Sequence, residues 1–512
     1  MRKVLSDNDL NGKNKNVGGN HEKVSAEHPG GVLHGALPYA HGGVRRRRAD
    51  DHQHRRGGGN TDASPDYKIE DDSIKLLKRD VTYVLTGTTD RKIYIWGRNS
   101  ENEAGEATYI RANNVVVNGG IESYNQVKLV LEVPEGTDNT IAKVYAHDLK
   151  IYGAGTLHSN KLGVKQATSF LPSALHITDT KVIVNCPANY SGEWNGACVL
   201  DGNADVLYTA CGDCAPLQIG VKLGDNTHSL TMKDSAKLRC LHAEPDTPSA
   251  YSVNGLEIFN GANLTMSGNS HLEVQGRPTS GNYAGYGLVS PANVSVTENA
   301  SIKATGYDVA LSVGGDLAIS GGNVEAKSEN SNGIYADGQL KISDGAKVNA
   351  SGYYPALFGN GGVSIESGSQ VEATSTGDAG IFSRGDVSIQ NSTVKVSEAE
   401  NYYAVTANGT TTVTGSWVET NHENSVNGSI TDSVLFNGDS GTVIGNATLL
   451  GNAGRGQDAR HPGGRVPVGR CGQHLHEQWR GHGQGRLLHR WRHARLQQPF
   501  RRHGHLHGAG AL

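Results

Sequence analysis

Three aromatic residues recur at nearly constant spacing in the C-terminal half of this 512-residue chain: Tyr335, Phe358 and Phe382. Each directly follows an aliphatic residue, and side chains alternate between the two faces of a strand, so an inward aliphatic residue turns its aromatic neighbour outward. Strands stacked at about 4.8 Å would then hold the three rings as a ladder. Flat aromatic faces pack against the apolar faces of sugar rings, so the spacing predicts a carbohydrate-binding strip. A ladder with a purely structural role is an equal alternative.

More tyrosines recur near the neighbouring corner of the predicted repeat. They are Tyr307, Tyr354, Tyr402 and Tyr403. Asparagine and aspartate beside such rings could bond sugar hydroxyls, so we include these tyrosines in the predicted carbohydrate surface.

Acidic residues recur in the predicted turns. They are Asp316, Asp337, Asp344, Asp378 and Asp386. Carboxylate oxygens are ligands that calcium accepts, so these residues are candidates for a calcium site. Aspartate is also a common turn former with a solvated side chain, and that alternative is the more frequent one.

The cysteines give an open prediction. Cys211 and Cys214 have the spacing of a disulfide or of a metal knuckle, and a disulfide that involves Cys198 is an alternative. A four-cysteine zinc site would usually need a second such pair. Inert thiols are the third alternative. Cys240 shares the parity of Leu238, which predicts a thiol in the core.

Fragments of a pectin-hydrolase pattern are present at Asn60-Thr61-Asp62, Asp71-Asp72 and Gly481-His482-Gly483. Acid–base hydrolysis of a glycosidic bond needs carboxyl groups that converge on one site, and these fragments lie about 400 residues apart. Arg277, the one candidate base of a lyase, precedes Pro278 and is expected in a solvent-facing loop. We therefore predict no catalytic residues.

An internal repeat predicts the strands and turns that position these side chains. Aliphatic residues recur every 23 or 24 positions in three sets. The sets are Leu288, Leu311, Ile334, Leu357, Ile381 and Val405; then Val296, Ile319, Ile342, Ile365, Ile389 and Val413; then Ile302, Val324, Val348, Val371, Val394 and Val418. Each stretch alternates apolar and polar residues, which is typical of strands.

Glycine, asparagine and aspartate fill the gaps, as in Ser343-Asp344-Gly345, and these residues tolerate the backbone of tight turns. Three short strands and three turns per repeat predict an all-β, single-stranded parallel β-helix (solenoid) with about 23 residues per regular coil. We assign irregular coils with insertions to 67–283 and regular coils to 284–450. A β-sandwich also has many short strands, but it has no reason to keep this period.

The flanks differ from this body. Residues 1–66, 67–450 and 451–512 carry net charges of +3, −16 and +9, which account for the overall −4. The basic ends could bind nucleic acid, but base-stacking aromatics are scarce and the tail contains no lysine, so we predict no nucleic-acid partner. No run of about 18 apolar residues occurs, so no membrane-spanning helix is predicted either.

A shifted reading frame explains the flanks better. Codons permitted for 21–27 can be read one base downstream as M-K-K-F-L-Q, and continuing to Arg45 gives an apolar run that ends in A-F-A. This pattern is typical of a secretory signal peptide and indicates an extracellular or cell-surface protein. Codons permitted for 456–464 can likewise be read in a shifted frame as G-K-T-L-D-I-P-E-G. The hypothesis is that frameshifts near Gly57 and after about Leu450 left an irregular or disordered N-terminal flank and an unpacked Arg/His/Gly-rich tail, 451–512. A stop codon early in either shifted frame would exclude it.

The repeats at 332–348 and 379–394 resemble the "G-I-x-s-x-G-d-v-x-I-x-g-g-x-V" coils of bacterial carbohydrate-binding-domain proteins. The resemblance covers 250–420 well and 67–250 loosely. It implies a secreted right-handed β-helix that binds polysaccharide, in some members with calcium, and it implies no catalytic residues. We therefore expect a non-catalytic surface protein, either an adhesin or a carbohydrate-binding module. The alternatives are a β-helix lyase or hydrolase of pectin-like glycans and a purely structural stalk or passenger module.

Overall fold

The strands of this protein stack in three columns. The computed structural model describes residues 2–5, 66–96, 107–123, 127–164, 173–188, 190–221, 228–244, 249, 253–278, 285–397, 402–421, 426–437 and 440–444. The described part is all-β and contains no helix. Apart from Arg2–Leu5, a strand that pairs in parallel with Thr82–Leu85, the expectations for the two flanks concern residues outside the described part.

Column 1 consists of a six-stranded and a nine-stranded sheet. Its strands are Tyr67–Ile69, Ser73–Leu76, Lys92–Ile95, Ile121–Ser123, Lys143–Ala146, Lys161–Val164, Gly192–Trp194, Leu217–Ile219, Leu256–Ile258, Leu288–Ser290, Leu311–Val313, Ile334–Ala336, Leu357–Gly359, Ile381–Ser383 and Val405–Ala407. All pairings in this column are parallel except that of the first two strands, which form an antiparallel hairpin at its N-terminal end.

Columns 2 and 3 belong to one 30-stranded sheet, because the long strands Thr82–Thr89 and Ala107–Val117 run through both columns. Column 2 continues through Lys128–Glu132, Asp148–Tyr152, Ala174–Thr178, Ala197–Asp201, Ser229–Met232, Asn263–Met266, Val294–Thr297, Leu317–Ser320, Gln339–Ser343, Gly362–Ile365, Val387–Gln390, Thr411–Thr414 and Ser429–Thr431.

Column 3 continues through Asp138–Ile141, Thr156–Ser159, Lys181–Cys186, Asp205–Ala210, Lys237–His242, His271–Gln275, Ser301–Gly306, Asn323–Ser328, Lys347–Gly352, Gln370–Ser375, Thr393–Ser397, Trp417–Thr420, Ser433–Asn437 and Ser440–Ile444. The last two strands of this column are antiparallel to each other, whereas the others pair in parallel.

The core contains the predicted aliphatic sets, and the register confirms their alignment. Ile319 pairs with Ile342, and Ile342 pairs with Ile365, so each residue lies directly over its counterpart one repeat away. All three are fully buried. Each side chain of this size contributes roughly 1.5–3 kcal/mol when it leaves water. This stacking of parallel strands is compatible with the predicted solenoid.

The turn between columns 2 and 3 repeats one backbone conformation. The residue at this corner has a positive φ in repeat after repeat, for example 59° at Asp344, 59° at Ser367 and 75° at Gly321. Glycine, asparagine and aspartate tolerate this left-handed region better than other residues do. The glycine- and aspartate-rich gaps of the sequence therefore mark a corner that each repeat must turn.

Candidate functional site

The candidate site lies on the outward side of column 1, whose strands in this region are three residues long. In Ile334–Ala336 and Ile381–Ser383 the two end residues are buried and the middle residue is partly exposed. This alternation turns Tyr335 and Phe382 outward, as the sequence predicts. Phe358 is the corresponding middle residue of Leu357–Gly359.

The three rings form a continuous stack, which we call the aromatic ladder. Tyr335 pairs with Phe358 and Phe358 with Phe382 in the strand register. The rings of Tyr335 and Phe358 are parallel within 3°, with centroids 5.0 Å apart. The rings of Phe358 and Phe382 are tilted by 39° at 5.6 Å.

The expected exposure is wrong for Phe358, which is 8% exposed. Its two faces are turned towards Tyr335 and Phe382, and the guanidinium of Arg384 lies 5.8 Å from its ring centroid. Alternation predicts which way a ring points, but it does not predict that rings stacked on each other cover each other's faces. A ligand can therefore reach open ring faces only at the two ends of the ladder.

Polar side chains follow the ladder along one side. Asp337, Asn360 and Arg384 each lie two residues after a ladder ring, and we call them the polar row. Asn360 Nδ2 donates to Asp337 Oδ1 at 2.9 Å, and Arg384 Nη1 donates to Asn360 Oδ1 at 3.5 Å. The row thus presents a carboxylate, an amide and a guanidinium beside the rings. Sequence reasoning selected only Asp337 from this row, although aligning the repeats would have revealed the other two.

The polar row also contacts the ladder directly. Tyr335 Oη donates to Asp337 Oδ1 at 3.3 Å. Partial burial, followed by the nearby Asp337 carboxylate, raises the pKa of the Tyr335 hydroxyl, while Arg384 opposes the shift. The phenol therefore stays protonated and can donate a hydrogen bond at neutral pH.

The predicted corner tyrosines lie where the chain passes from column 3 to column 1. Tyr354, Tyr402 and Tyr403 are exposed, and Tyr307 is half-buried. Tyr353, which the prediction omitted, is also exposed and contacts Tyr354 edge to face at 5.3 Å. Asn330 and Gly377 occupy the same corner in the intervening repeats. The corner tyrosines therefore do not stack on one another from repeat to repeat, and they do not form a second ladder.

The predicted calcium carboxylates lie at several different positions of the repeat. Asp316 Oδ1 accepts a hydrogen bond from the backbone amide of Gln339 at 2.8 Å, and Asp386 Oδ1 accepts one from the backbone amide of Thr410 at 2.7 Å. These bonds connect consecutive repeats. The bond from Thr410 also lowers the pKa of Asp386.

The other candidates also accept hydrogen bonds. Asp378 Oδ1 accepts from the amide of the next residue at 2.7 Å, and Asp344 Oδ2 accepts from Ser320 and Ser343 at the positive-φ corner. Asp337 belongs to the polar row. In the part of the chain that the structure describes, no three histidine, cysteine, aspartate or glutamate side chains are grouped to hold a metal ion.

The five cysteines that the structure describes, Cys186, Cys198, Cys211, Cys214 and Cys240, are free thiols. Cys211 is exposed and Cys214 is half-buried, and no disulfide joins them. Cys240 is fully buried, which confirms the predicted core thiol. Desolvation raises the pKa of Cys186 to about 11, so this buried thiol is not a nucleophile at neutral pH.

Arg277 corrects another expectation, because it is 5% exposed instead of facing solvent. Its Nη1 donates to the Gly212 carbonyl at 2.7 Å and lies 3.6 Å from the Asp213 carboxylate. Asp213 also accepts from Ser249 at 2.7 Å. The arginine therefore ties together the inserted corner segments, a structural role that the sequence around Pro278 does not indicate.

Of the polygalacturonase-like fragments, the structure describes only Asp71-Asp72. Asp71 and Asp72 are exposed in the turn of the N-terminal hairpin, and the fragments at 60–62 and 481–483 lie outside the described residues. A separate polar depression contains Asp138, whose Oδ1 lies 3.0 Å from His158 Nε2. Among the lining residues Asp138 is the sole carboxylate, whereas glycoside hydrolysis generally uses two.

No helix among the described residues could span a membrane. Comparison of the chain with protein-family models, with curated proteins and with solved structures gave no match.

Proposed function

We propose that this chain is an exported bacterial surface protein that binds polysaccharide without catalysis, as an adhesin or a carbohydrate-binding module. In this proposal its three columns wind as a right-handed, single-stranded β-helix of about 23 residues per regular coil. The extracellular location is also part of the proposal, because it depends on the signal peptide that was read from the shifted frame. The nucleotide sequence tests that part directly.

One observation carries the binding proposal: the aromatic ladder runs beside the polar row on an outward strand face. Sugar recognition combines an apolar ring surface with a few fixed hydrogen-bonding groups. Tyr335 supplies the ring, and Asp337, Asn360 and Arg384 supply acceptors and donors at successive repeats. The neighbouring exposed tyrosines would extend the contact along a polymer.

A glycan array probed with and without calcium tests this function. Tyr335→Ala and Arg384→Ala should each weaken binding at least tenfold while circular dichroism stays unchanged. Tyr109→Ala is the matched control, because Tyr109 is a 37% exposed tyrosine on a strand of column 2, away from the ladder. Equal binding by all three variants would reject the ladder as the site.

The same preparation separates the alternative functions. Reducing-sugar and unsaturated-product assays on pectins would detect a hydrolase or a lyase. Turnover would replace the proposal with an enzyme, and a wild-type protein that binds no glycan would favour a structural stalk.

A further inference from the structure

The outward side chains of column 1 become smaller at one end of the aromatic ladder. Tyr335 pairs with Ser312, Ser312 pairs with Val289, and Val289 pairs with Glu257. Two repeats with small or short side chains therefore separate a phenol ring from a carboxylate. We call this depression the notch; Ser312 and Val289 form its floor, and Tyr335 and Glu257 form its ends.

The open face of Tyr335 forms one end of the notch. Phe358 covers the opposite face of the same ring in a parallel stack at 5.0 Å. The serine side chain at 312 is too small to cover a phenol ring, and both Ser312 and Tyr335 are partly exposed. At about 4.8 Å per repeat, the two repeats of the floor leave roughly 10 Å along the stack, which accommodates a pyranose ring lying against the phenol.

Hydrogen-bond acceptors surround the notch. Both Glu257 oxygens are held, Oε1 by Asn254 Nδ2 at 2.6 Å and Oε2 by Gln218 Nε2 at 2.5 Å. Asp337 lies at the tip of the Tyr335 ring. The Tyr286 hydroxyl bonds the Asp308 carboxylate, and Tyr335 acts electrostatically on the same hydroxyl.

The charge of these groups selects the occupant. The carboxylates at 257, 308 and 337 accept hydrogen bonds and repel negative charge, so they suit a ligand that is rich in hydroxyl donors and carries no carboxylate. The guanidinium of Arg384 lies against the Phe358 ring, on the side of Tyr335 that is opposite the notch.

We propose that the notch binds one neutral hexose unit of a polysaccharide, stacked on the open face of Tyr335 above Ser312. This inference rests on the proposed function and adds the subsite and the sugar class.

Substitutions at the two ends of the ladder test the subsite. Ser312→Phe places a ring on the open face of Tyr335 and fills the notch, whereas Thr406→Phe places a ring beyond Phe382 at the opposite end, where Phe382 pairs with Thr406. The probes are cellohexaose, as a neutral ligand, and hexagalacturonate, as an anionic one. Affinity is measured by titration calorimetry on the full chain, and thermal unfolding checks each variant's fold.

We expect wild type and Thr406→Phe to bind cellohexaose equally and better than hexagalacturonate, and Ser312→Phe to lose at least tenfold in affinity. Unchanged binding by folded Ser312→Phe would overturn the notch while leaving the proposed function intact. Stronger binding of hexagalacturonate would overturn the neutral sugar class. If Ser312→Phe does not fold, Ser312→Thr replaces it, with a smaller loss expected and an unchanged affinity counting against the notch. A wild type that binds neither these probes nor any arrayed glycan would reject the proposed function itself.

Discussion

The ring of Tyr335 stacks on the ring of Phe358 within 3° of parallel, so one residue presents a face to solvent and the other lies buried between its neighbours. Two residues that the sequence treats as equivalent therefore have different roles. Tyr335 offers a binding surface, and Phe358 supports the position of that surface.

This difference predicts that Phe358→Ala mainly lowers stability. The ring is 92% buried, and replacing a buried phenylalanine by alanine costs about 3 kcal/mol of unfolding free energy. Tyr402→Ala, at a site that is 51% exposed, should cost less than about 0.5 kcal/mol. Urea titrations followed by circular dichroism measure both. Equal stability of the two variants would show that the stack leaves Phe358 accessible.

The repeat and its register could be predicted from the sequence because each aliphatic position must lie over its counterpart to bury its side chain. The pairs Leu311–Ile334 and Val348–Val371 confirm this logic. The coverage of Phe358 and the burial of Arg277 could not be predicted, because both depend on contacts between repeats or between inserted corners. The alternation of side chains along a strand predicts which residues point outward. It does not predict which other side chains cover them there.

The turn side chains that connect repeats should contribute to stability through one oxygen atom. Asn293 Oδ1 accepts a hydrogen bond from the backbone amide of Asp316 at 2.9 Å. The backbone amide of Asn293 donates to Asn263 Oδ1 at 3.3 Å. Asn293→Ala removes an acceptor and should cost about 1 kcal/mol. Asn293→Asp keeps that oxygen and should stay within about 0.5 kcal/mol of wild type. Chemical denaturation compares the two, and equal losses would contradict the role of the oxygen.

Calcium should leave the stability of the described repeats unchanged. Asp316 and Asp386 each bond an amide of the next repeat, and Asp344 is held by two serine hydroxyls, so these carboxylates already have partners and lie apart. Thermal unfolding in millimolar calcium and in EDTA should differ by less than about 1 °C, since only an ion that binds the folded state raises the unfolding free energy, by RT ln(1 + L/Kd) at a free ion concentration L. A midpoint that keeps rising with the logarithm of the calcium concentration would show that the carboxylates converge on an ion.

His242 should make the fold sensitive to mild acid. The side chain is 5% exposed, and among the described residues neither ring nitrogen has a hydrogen-bond partner of normal geometry. Burial and then the nearby Arg277 lower its pKa to about 4, from 6.5 for an ordinary histidine, although the Asn254 backbone opposes the shift. Between these two values the unfolded chain binds the proton and the folded chain does not. Unfolding free energy should therefore be constant above about pH 6.5 and fall as pH drops from 6.5 to 4, by on the order of 3 kcal/mol across the window.

Replacing the imidazole tests this assignment. His242→Leu removes the titrating group and breaks no hydrogen bond of normal geometry, so it should unfold at the same or higher denaturant concentration. It should also lose most of the slope between pH 5 and 6.5, above the range where carboxylates titrate. His271 is the control, because burial also lowers its pKa, but its Nδ1 lies 2.8 Å from Ser301 Oγ and its ring is only half-buried. His271→Gln should keep most of the slope. If His242→Leu retained the wild-type pH dependence, the acid sensitivity would have to come from other groups, because no proton could then bind at position 242.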